Sequence, residues 1–479
     1  MLAEVSDEEL RRRAEQAARL LEAIEADRGV LAGLDRDLRV RLMAAAGRVS
    51  APDRRAERKL RKALGKRDRA AARDKDAAAL EQTGIRKKRR DAIFLTPPPD
   101  HLLQDGATEG PQVEQARSCY VCKASFDRVH FFYDQMCPPC AELNWAKRTQ
   151  TADLSGRTAL VTGGRVKIGY QAAIKLLRAG ARVVVTTRFP CDAAERFAHE
   201  DDHADWDDRL AIYGLDLRHT PSVERFTRAF LEREPRLDFL LNNACQTVRR
   251  PAGFYRHLIE GETTEALPAT VASRALTPVA DALTSAMLTQ VPLLPEDLET
   301  VAYPLGALDQ DLQQVDLRET NSWRLRLDEV ETLELFEVFL VNAVAPFVLN
   351  ARLKPAMLRV ASRDKHIVNV SAMEGQFYRV FKTDKHPHTN MAKAALNMMT
   401  RTSAPDYLKD GIHMNSVDTG WVTDEDPAAI AERKAAEGFT PPLDIVDGAA
   451  RICDPIFVGM NTQEHVWGQF LKDYRPVAW

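Results

Sequence analysis

Apolar positions fall into two rhythms along the chain. In the first 92 residues they are sparse and spaced three or four apart. Leu10, Ala14, Ala17, Leu21 and Ile24 form such a stripe, which predicts a helix opening at a Ser6/Glu9 capping box. A second helix is expected from about Arg36 to Ala46. A third starts near Pro52, a residue suited to a first helical turn, and stops at Thr83-Gly84. From residue 155 the rhythm changes. The short apolar runs TALVTGG (158–164), ARVVVTTR (181–188), LAIYGLDL (210–217) and LDFLLNNA (237–244) read as buried strands. The amphipathic stretches IGYQAAIKLLRAG (168–180), DAAERFAHE and PSVERFTRAFLERE lie between them and read as helices. Strands alternating with helices of this length predict an α/β fold, a Rossmann-type doubly wound parallel sheet covered on both faces.

Composition adds little to this picture, but the placement of charge adds more. The 479 residues are 45% hydrophobic and 29% charged, the mix of a chain with several globular domains. A net charge of -3 excludes general polyanion binding by the whole protein. Residues 51–91 nevertheless hold sixteen Lys or Arg against seven Asp or Glu, with IRKKRR (85–90) the densest run. A solvated helix face fits this bias, and so does contact with a protein or nucleic-acid partner, although no aromatic platform accompanies it. TPPPD (96–100) is stiff and extended. It lies in an expected linker, 93–118, between a charged helical region (1–92) and the next module (119–150). No apolar run reads as long enough to span a membrane, and MLAEVSDEEL lacks the features of a signal peptide. A cytoplasmic location without membrane contact is therefore the expectation.

Cysteine placement is more specific. Of seven cysteines, Cys119, Cys122, Cys137 and Cys140 form two CxxC pairs separated by fourteen residues. Each pair can turn two thiolates toward one ion. Four sulfurs in a closed tetrahedron favour structural zinc over an iron–sulfur site or redox thiols. Phe126, Phe131, Phe132 and Tyr133 supply the small core such a module needs, and His130 reads as a packing residue.

Several features of residues 155–479 come in a telling order. Thr162, Gly163, Arg165, Lys167, Ile168 and Gly169 occupy the turn from the first strand into a helix amino terminus, where backbone amides hold a dinucleotide pyrophosphate. Asp216 ends the third strand, and Asn242, Asn243 and Ala244 end the fourth. Asn342 lies in VNAVAPF, read as opening a helix. Ser371 ends KHIVNVS, Lys393 lies in MAKAAL, and Gly420 and Thr423 lie in NSVDTGWVTDEDP. Together these resemble the short-chain dehydrogenase/reductase family. The resemblance implies that Asp216 meets the adenine and that Asn243 and Ala244 border the cofactor. Gly420 and Thr423 would serve the nicotinamide. Lys167 stands where the family carries a glycine. At the end of the second strand Arg188 replaces the carboxylate of an NAD site, and a guanidinium suits a 2′-phosphate, so NADP is favoured over NAD.

The resemblance also implies a catalytic set of Asn342, Ser371 and Lys393, with Lys393 on the nicotinamide ribose. The family's tyrosine falls four residues before the lysine, and Thr389 stands there. A threonine hydroxyl is no near-neutral proton shuttle. His386 and Tyr378, and beside them His388 and Glu374, are the expected replacements. The stretch from Ala244 to Asn342 is much longer than in the family, an insertion at about 246–330. Its Arg249, Arg250 and Tyr255 leave the sheet over the cofactor and are candidates for an acidic substrate, and Asp418, Thr423, Asp424 and Glu425 hint at a polar one. A homodimer or homotetramer on the helices after Asn342 and Lys393 is implied. The expected function is NAD(P)-dependent oxidoreduction with non-standard acid chemistry. The alternative is an inactive dinucleotide-binding scaffold that contacts a macromolecule through the zinc module and basic helices.

Overall fold

The computed structural model describes residues 6–98, 110–262, 276–277, 284–298, 301–378, 382–423 and 425–479. Two compact units divide the chain, Met1–Lys75 and Asp76–Trp479.

The first unit is helical: α1 (Asp7–Ala26), α2 (Arg36–Ser50) and most of α3 (Arg54–Leu80). Ser6 caps α1 by accepting the Glu9 N–H, but the Glu9 carboxylate turns to Arg12 and Arg13 instead of closing the capping box. Asp53, the residue after Pro52, caps α3 by accepting the Ala56 N–H. The α1 stripe is largely uncovered: Leu10 is 50% exposed and Leu21 42%, whereas Ile24 is buried.

The second unit starts with the last turn of α3, whose Asp76 carboxylate accepts the N–H groups of Glu114 and Gln115 at 2.7 and 3.0 Å. The third helix ends at Leu80, and Thr83-Gly84, expected as its stop, begins α4 (Gly84–Arg89). This helix carries the basic run, and part of that charge is spent inside the fold. Arg86 pairs with Asp134 at 2.6 Å and Glu81 at 2.8 Å, and Arg89 donates to the Leu443 carbonyl. Of the stretch 93–118, expected as a linker, the described parts 93–98 and 110–118 make long-range contacts. Phe94 N–H donates to the Gln310 carbonyl, Thr96 to Glu200, and β1 (Gln112–Ser118) pairs antiparallel with β2 (Ser125–Arg128). The cysteine module follows and ends in α5 (Pro138–Thr149).

Among the described residues the α/β core has nine strands in the order β11-β10-β9-β8-β6-β3-β4-β5-β7. These are β3 (Thr158–Thr162), β4 (Arg182–Thr187), β5 (Leu210–Gly214), β6 (Phe239–Asn242), β7 (Leu276–Thr277), β8 (Lys365–Ser371), β9 (Ile412–Asp418), β10 (Phe470–Lys472) and β11 (Arg475–Val477). All neighbours are parallel except the β10–β11 hairpin at one edge. The central strands are buried along their length because helices cover both faces. On one face are α6 (Lys167–Arg178), α7 (Pro190–Ala198) and α14 (Ile445–Thr462). On the other are α8 (Thr220–Arg233), α11 (Ala345–Leu358) and α12 (Pro387–Lys409). The strand order reverses at β3, and such a switch point opens a crevice at the carboxyl ends of the strands.

Two expectations about the segment after the insertion are corrected. VNAVAPF does not open a helix. Asn342 sits in a π-helical turn (Leu340–Val344) between α10 (Thr332–Phe339) and α11. An 18-residue window of the helical stretch Thr332–Leu358 has a mean hydropathy of 1.7, so the stretch is long and apolar enough by composition to cross a bilayer. One side of it packs in the core, where Leu349, Leu353, Ala356 and Met357 are fully buried against the sheet, while Phe336 and Phe347 are exposed.

Candidate active site

The cofactor turn is shaped by close backbone approaches. Gly163 has φ +68°, and a Cβ there would stand 2.9 Å from the Ala244 Cα. At Gly169, in the first turn of α6, a Cβ would stand 2.3 Å from both the Asn243 Nδ2 and the Gly163 carbonyl oxygen. Asn243 donates from that Nδ2 to the Thr162 carbonyl at 3.0 Å, and Thr162 Oγ1 accepts the Ala244 N–H at 3.0 Å. The ends of β3 and β6 are thus laced together under the turn. Lys167, at the family's glycine position, adopts φ +55°, a left-handed conformation that costs a side-chain-bearing residue about 1 kcal/mol.

A cavity of about 1230 Å³ runs along the carboxyl ends of the strands. It brings together Gly163, Arg165, Lys167, Ile168, Gly169, Arg188, Asp216, Asn243 and Ala244 with Ser371, Thr389, Lys393, Gly420 and Thr423. Arg250 and Tyr255 of the insertion also line it. Not all of these side chains are available. Arg165 is buried and committed to Asp192 and Gln313, at 2.7 and 2.5 Å, and Asp216 is held by Arg218 at 2.7 Å. Arg188, just past the end of β4, donates to Tyr255 Oη at 2.8 Å and lies over that ring. Arg250 is paired with Asp316.

At the far end of the cavity, α12 stacks Thr389, Lys393 and Asn397 one turn apart, all buried. Lys393 Nζ donates to the Val370 carbonyl at 2.8 Å, and Ser371 Oγ donates to Asn397 Oδ1 at 2.6 Å. Asn397 was not singled out from the sequence, although its place four residues after Lys393 on one helix face was the available signal. Thr389 Oγ1 is buried and has no hydrogen-bond partner among the described residues.

Several expected site residues do not line this cavity. Thr162 lies beneath the turn, at the close of β3. Asn342 is buried, and its amide grips the Gln246 main chain in both directions, accepting the N–H at 2.9 Å and donating to the carbonyl at 2.8 Å. It fixes the point where the insertion leaves β6. Arg249 is also structural, in a two-pronged pair with Asp297 at 2.6 Å and a contact with Glu337. Tyr378 is 49% exposed and points elsewhere, and Asp424 lies outside the described residues. His386 is the N-cap of α12 and stacks on Trp323 with ring centroids 4.0 Å apart. Burial lowers the pKa of His386 and of His388 to about 4, so neither is a reservoir of protons at neutral pH.

Buried neutral histidines carry a consequence for stability. His366 and His413, paired across β8 and β9, are likewise depressed, chiefly by burial, His366 well below 6.5. As pH falls through 6.5 the unfolded chain takes up protons that the folded chain refuses, so the stability contributed by these groups is full above that pH and is lost progressively toward 4. The thermal midpoint should therefore drop steadily between pH 7 and pH 5, and His388→Gln should flatten the slope. A midpoint constant over that range would contradict this.

The fold and the pocket at its switch point define an NAD(P)-dependent oxidoreductase architecture. The short chain dehydrogenase family profile matches residues 157–265, and the enoyl-(acyl carrier protein) reductase profile matches residues 322–441. An uncharacterized protein of Acanthamoeba polyphaga mimivirus is 31% identical over 375 residues, 74% of each chain. The cattle dehydrogenase/reductase SDR family member 13 is 39% identical over 118 residues, 24% of this chain and 29% of that one. Among solved structures, the Pseudomonas aeruginosa RhlG/NADP active-site complex is similar at 20% identity, covering 67% of this chain and 95% of that one with a TM-score of 0.44. The chain belongs to the short-chain dehydrogenase/reductase family, with a cysteine module ahead of its Rossmann core. That module fits a metal: its four sulfurs lie within 4.8 Å of one another, Cys122 and Cys137 at 3.6 Å, close to the roughly 3.8 Å that tetrahedral 2.3 Å Zn–S bonds require.

Proposed function

We propose that the protein is an NADP(H)-dependent oxidoreductase whose proton is delivered by water, not by a helix-borne phenol. The observation that carries this is the single cavity joining Arg188 at the end of β4, the Gly163–Gly169 turn, and the Ser371, Thr389 and Lys393 cluster. Bound NADPH supplies the hydride. Lys393, fixed by the Val370 carbonyl, presents its remaining N–H donors to the ribose and to water. Ser371, with its proton directed at Asn397, offers lone pairs to a substrate hydroxyl. Thr389 lines the cavity, and its buried Oγ1, without a partner among the described residues, keeps a donor and an acceptor for a water that enters beside it and for the reacting oxygen. His386 and Tyr378 lie away from the cavity and Glu374, which lines it, is only half-buried, so water relayed by these hydroxyls is the proton source. The substrate is polar: Arg250, Glu425 and Lys434 line the same space. The zinc at the four cysteines is structural. Apolar side chains exposed on α10 to α12, Phe336, Phe347, Met391 and Met398, support a homo-oligomer built on those helices.

Cofactor titration tests the reading. The native chain should bind NADPH in preference to NADH. Arg188→Ala should weaken NADPH binding by about 10- to 100-fold, the value of charge-assisted hydrogen bonds to a phosphate, with NADH changed little. Equal losses for both cofactors would sink the assignment of Arg188.

A further inference from the structure

The cysteine module and the cofactor loop share one wall of the cavity. Tyr120, Val121 and Lys123 line it beside Gly420, Trp421 and Thr423. Tyr120 and Val121 lie between Cys119 and Cys122, so the shape of this wall is set by whatever holds the sulfurs together. Tyr120 is fixed at both ends. Its N–H donates to the Gln135 carbonyl at 2.8 Å, tying the first knuckle to the approach of the second. Its phenol oxygen accepts the Trp421 N–H at 3.0 Å and would lie 3.3 Å from a Cβ on Gly420. Lys472 Nζ is 5.8 Å from the ring centroid and pairs with Asp418 at 3.1 Å, and Asp418 is in register with Ser371 across β8 and β9. The path from the sulfurs to the reacting end of the pocket is therefore two contacts long. Of the two tyrosines lining the cavity, Tyr255 serves Arg188 at the other end, which leaves Tyr120 at the nicotinamide end.

Behind this wall the module is docked without slack. Tyr133 Oη donates to Asp447 at 2.5 Å and Gln135 Nε2 to the Thr440 carbonyl at 2.6 Å. Cys119 and Cys137 share one apolar cluster with Val422 of the cofactor loop and with Leu443, Ile445 and Val446, and Ile168 of the glycine turn packs against it. A knuckle that loosens on one side of this cluster cannot leave the loop on the other side unmoved.

We propose that the first cysteine knuckle is a cofactor-binding element, and that metal occupancy of the four sulfurs and binding of the nicotinamide cofactor are coupled, each tightening the other. This rests on the NADP(H) reading above. Without an ion, four thiols or thiolates crowded as closely as Cys122 and Cys137 have no common partner. The knuckle relaxes, Tyr120 withdraws from Trp421, and the 420–423 loop loses its prop. Because linkage is reciprocal, the factor by which zinc raises NADPH affinity is the factor by which NADPH raises zinc affinity.

The test uses the full-length, zinc-loaded chain, with NADPH binding followed by fluorescence and zinc affinity by competition with a chromogenic chelator. Saturating NADPH should raise zinc affinity about tenfold, within the usual span of such couplings. Tyr120→Ala should keep its zinc, bind NADPH about tenfold more weakly and lose most of the coupling. If that variant does not fold, Tyr120→Phe keeps the ring, removes only the acceptor for the Trp421 N–H, and should still weaken NADPH binding severalfold. Zinc affinity identical with and without NADPH overturns the coupling alone. Purified protein that takes up no metal overturns it as well, as does a folded Tyr120 variant that binds NADPH and couples like the wild type. Failure of the zinc-loaded chain to bind NADPH at all is a different result, because it strikes the cofactor reading itself.

Discussion

Gly169→Ala is expected to weaken NADPH binding at least 100-fold, with the sheet intact by circular dichroism. The added methyl would meet the Asn243 Nδ2 and the Gly163 carbonyl oxygen, each at 2.3 Å, and the Gly163 carbon at 3.0 Å. Two of these atoms are backbone, so no rotamer change relieves the contact. Overpacking of this kind costs about 1–3 kcal/mol. The movement that relieves it is localised: α6 lifts from β3, or Gly163 and Asn243 shift. Either change spoils the turn whose amides face the pyrophosphate, and a hundredfold loss corresponds to about 2.7 kcal/mol. Gly47→Ala supplies the control, since a methyl there meets nothing within 4 Å. Titration of NADPH fluorescence reads both variants. Affinity for Gly169→Ala within threefold of wild type would remove the turn from the cofactor site.

This prediction rests on residues whose grouping is legible in the sequence. A strand, a glycine turn and an amphipathic helix are local patterns, and a parallel α/β sheet turns such patterns into fixed positions at its carboxyl edge. For that reason the Gly163–Gly169 turn, Asp216, Ser371 and Lys393, grouped by the sequence, line one cavity in the structure. It misjudged residues whose neighbours are distant in sequence. Arg249, read as a substrate contact, is consumed by Asp297, 48 residues further on. Asn342, in a π turn, faces Gln246, 96 residues earlier. Nothing in the local spacing announces that partner. His386 looked like a proton donor because it precedes the Lys393 helix. A left-handed φ of +42° and the plane of Trp323 decide otherwise. The CxxC spacing located a metal module, but its docking beside Gly420 depends on long-range pairs such as Tyr133 with Asp447, 314 residues apart. Tyr120 was invisible for the same reason.

Those long-range pairs lead to the second large effect. Arg148→Ala is expected to cost about 3–5 kcal/mol, the range for removing one partner of a buried ion pair, and that is a large share of the roughly 5–15 kcal/mol that keeps a domain folded. Arg148 has no exposed side-chain surface. Its two Nη atoms bind the Asp444 carboxylate at 2.6 and 2.7 Å, Nη1 reaches Asp447 at 3.0 Å, and the guanidinium lies 4.6 Å from the Phe132 centroid. Burial would push the Asp444 carboxyl up, but the Arg148 charge and hydrogen bonds outweigh it and hold that carboxyl below its ordinary value. Without the arginine, two buried carboxylates face one another, and both pKa values rise. The sign follows from linkage. A carboxyl whose folded pKa exceeds the unfolded one favours the folded state at low pH and loses that advantage as pH climbs through the folded pKa. The gap in stability between wild type and Arg148→Ala should therefore be widest near neutrality and narrow on acidification, against the histidine trend that both proteins share. Urea denaturation at two pH values measures this. Adding Asp444→Asn and Asp447→Asn should restore most of the loss, because asparagine still caps α14 where Asp444 now accepts the Val446 and Asp447 N–H groups. A single variant within about 1 kcal/mol of wild type, below the range for a broken buried pair, would mean that the apolar cluster alone docks the module on the oxidoreductase core.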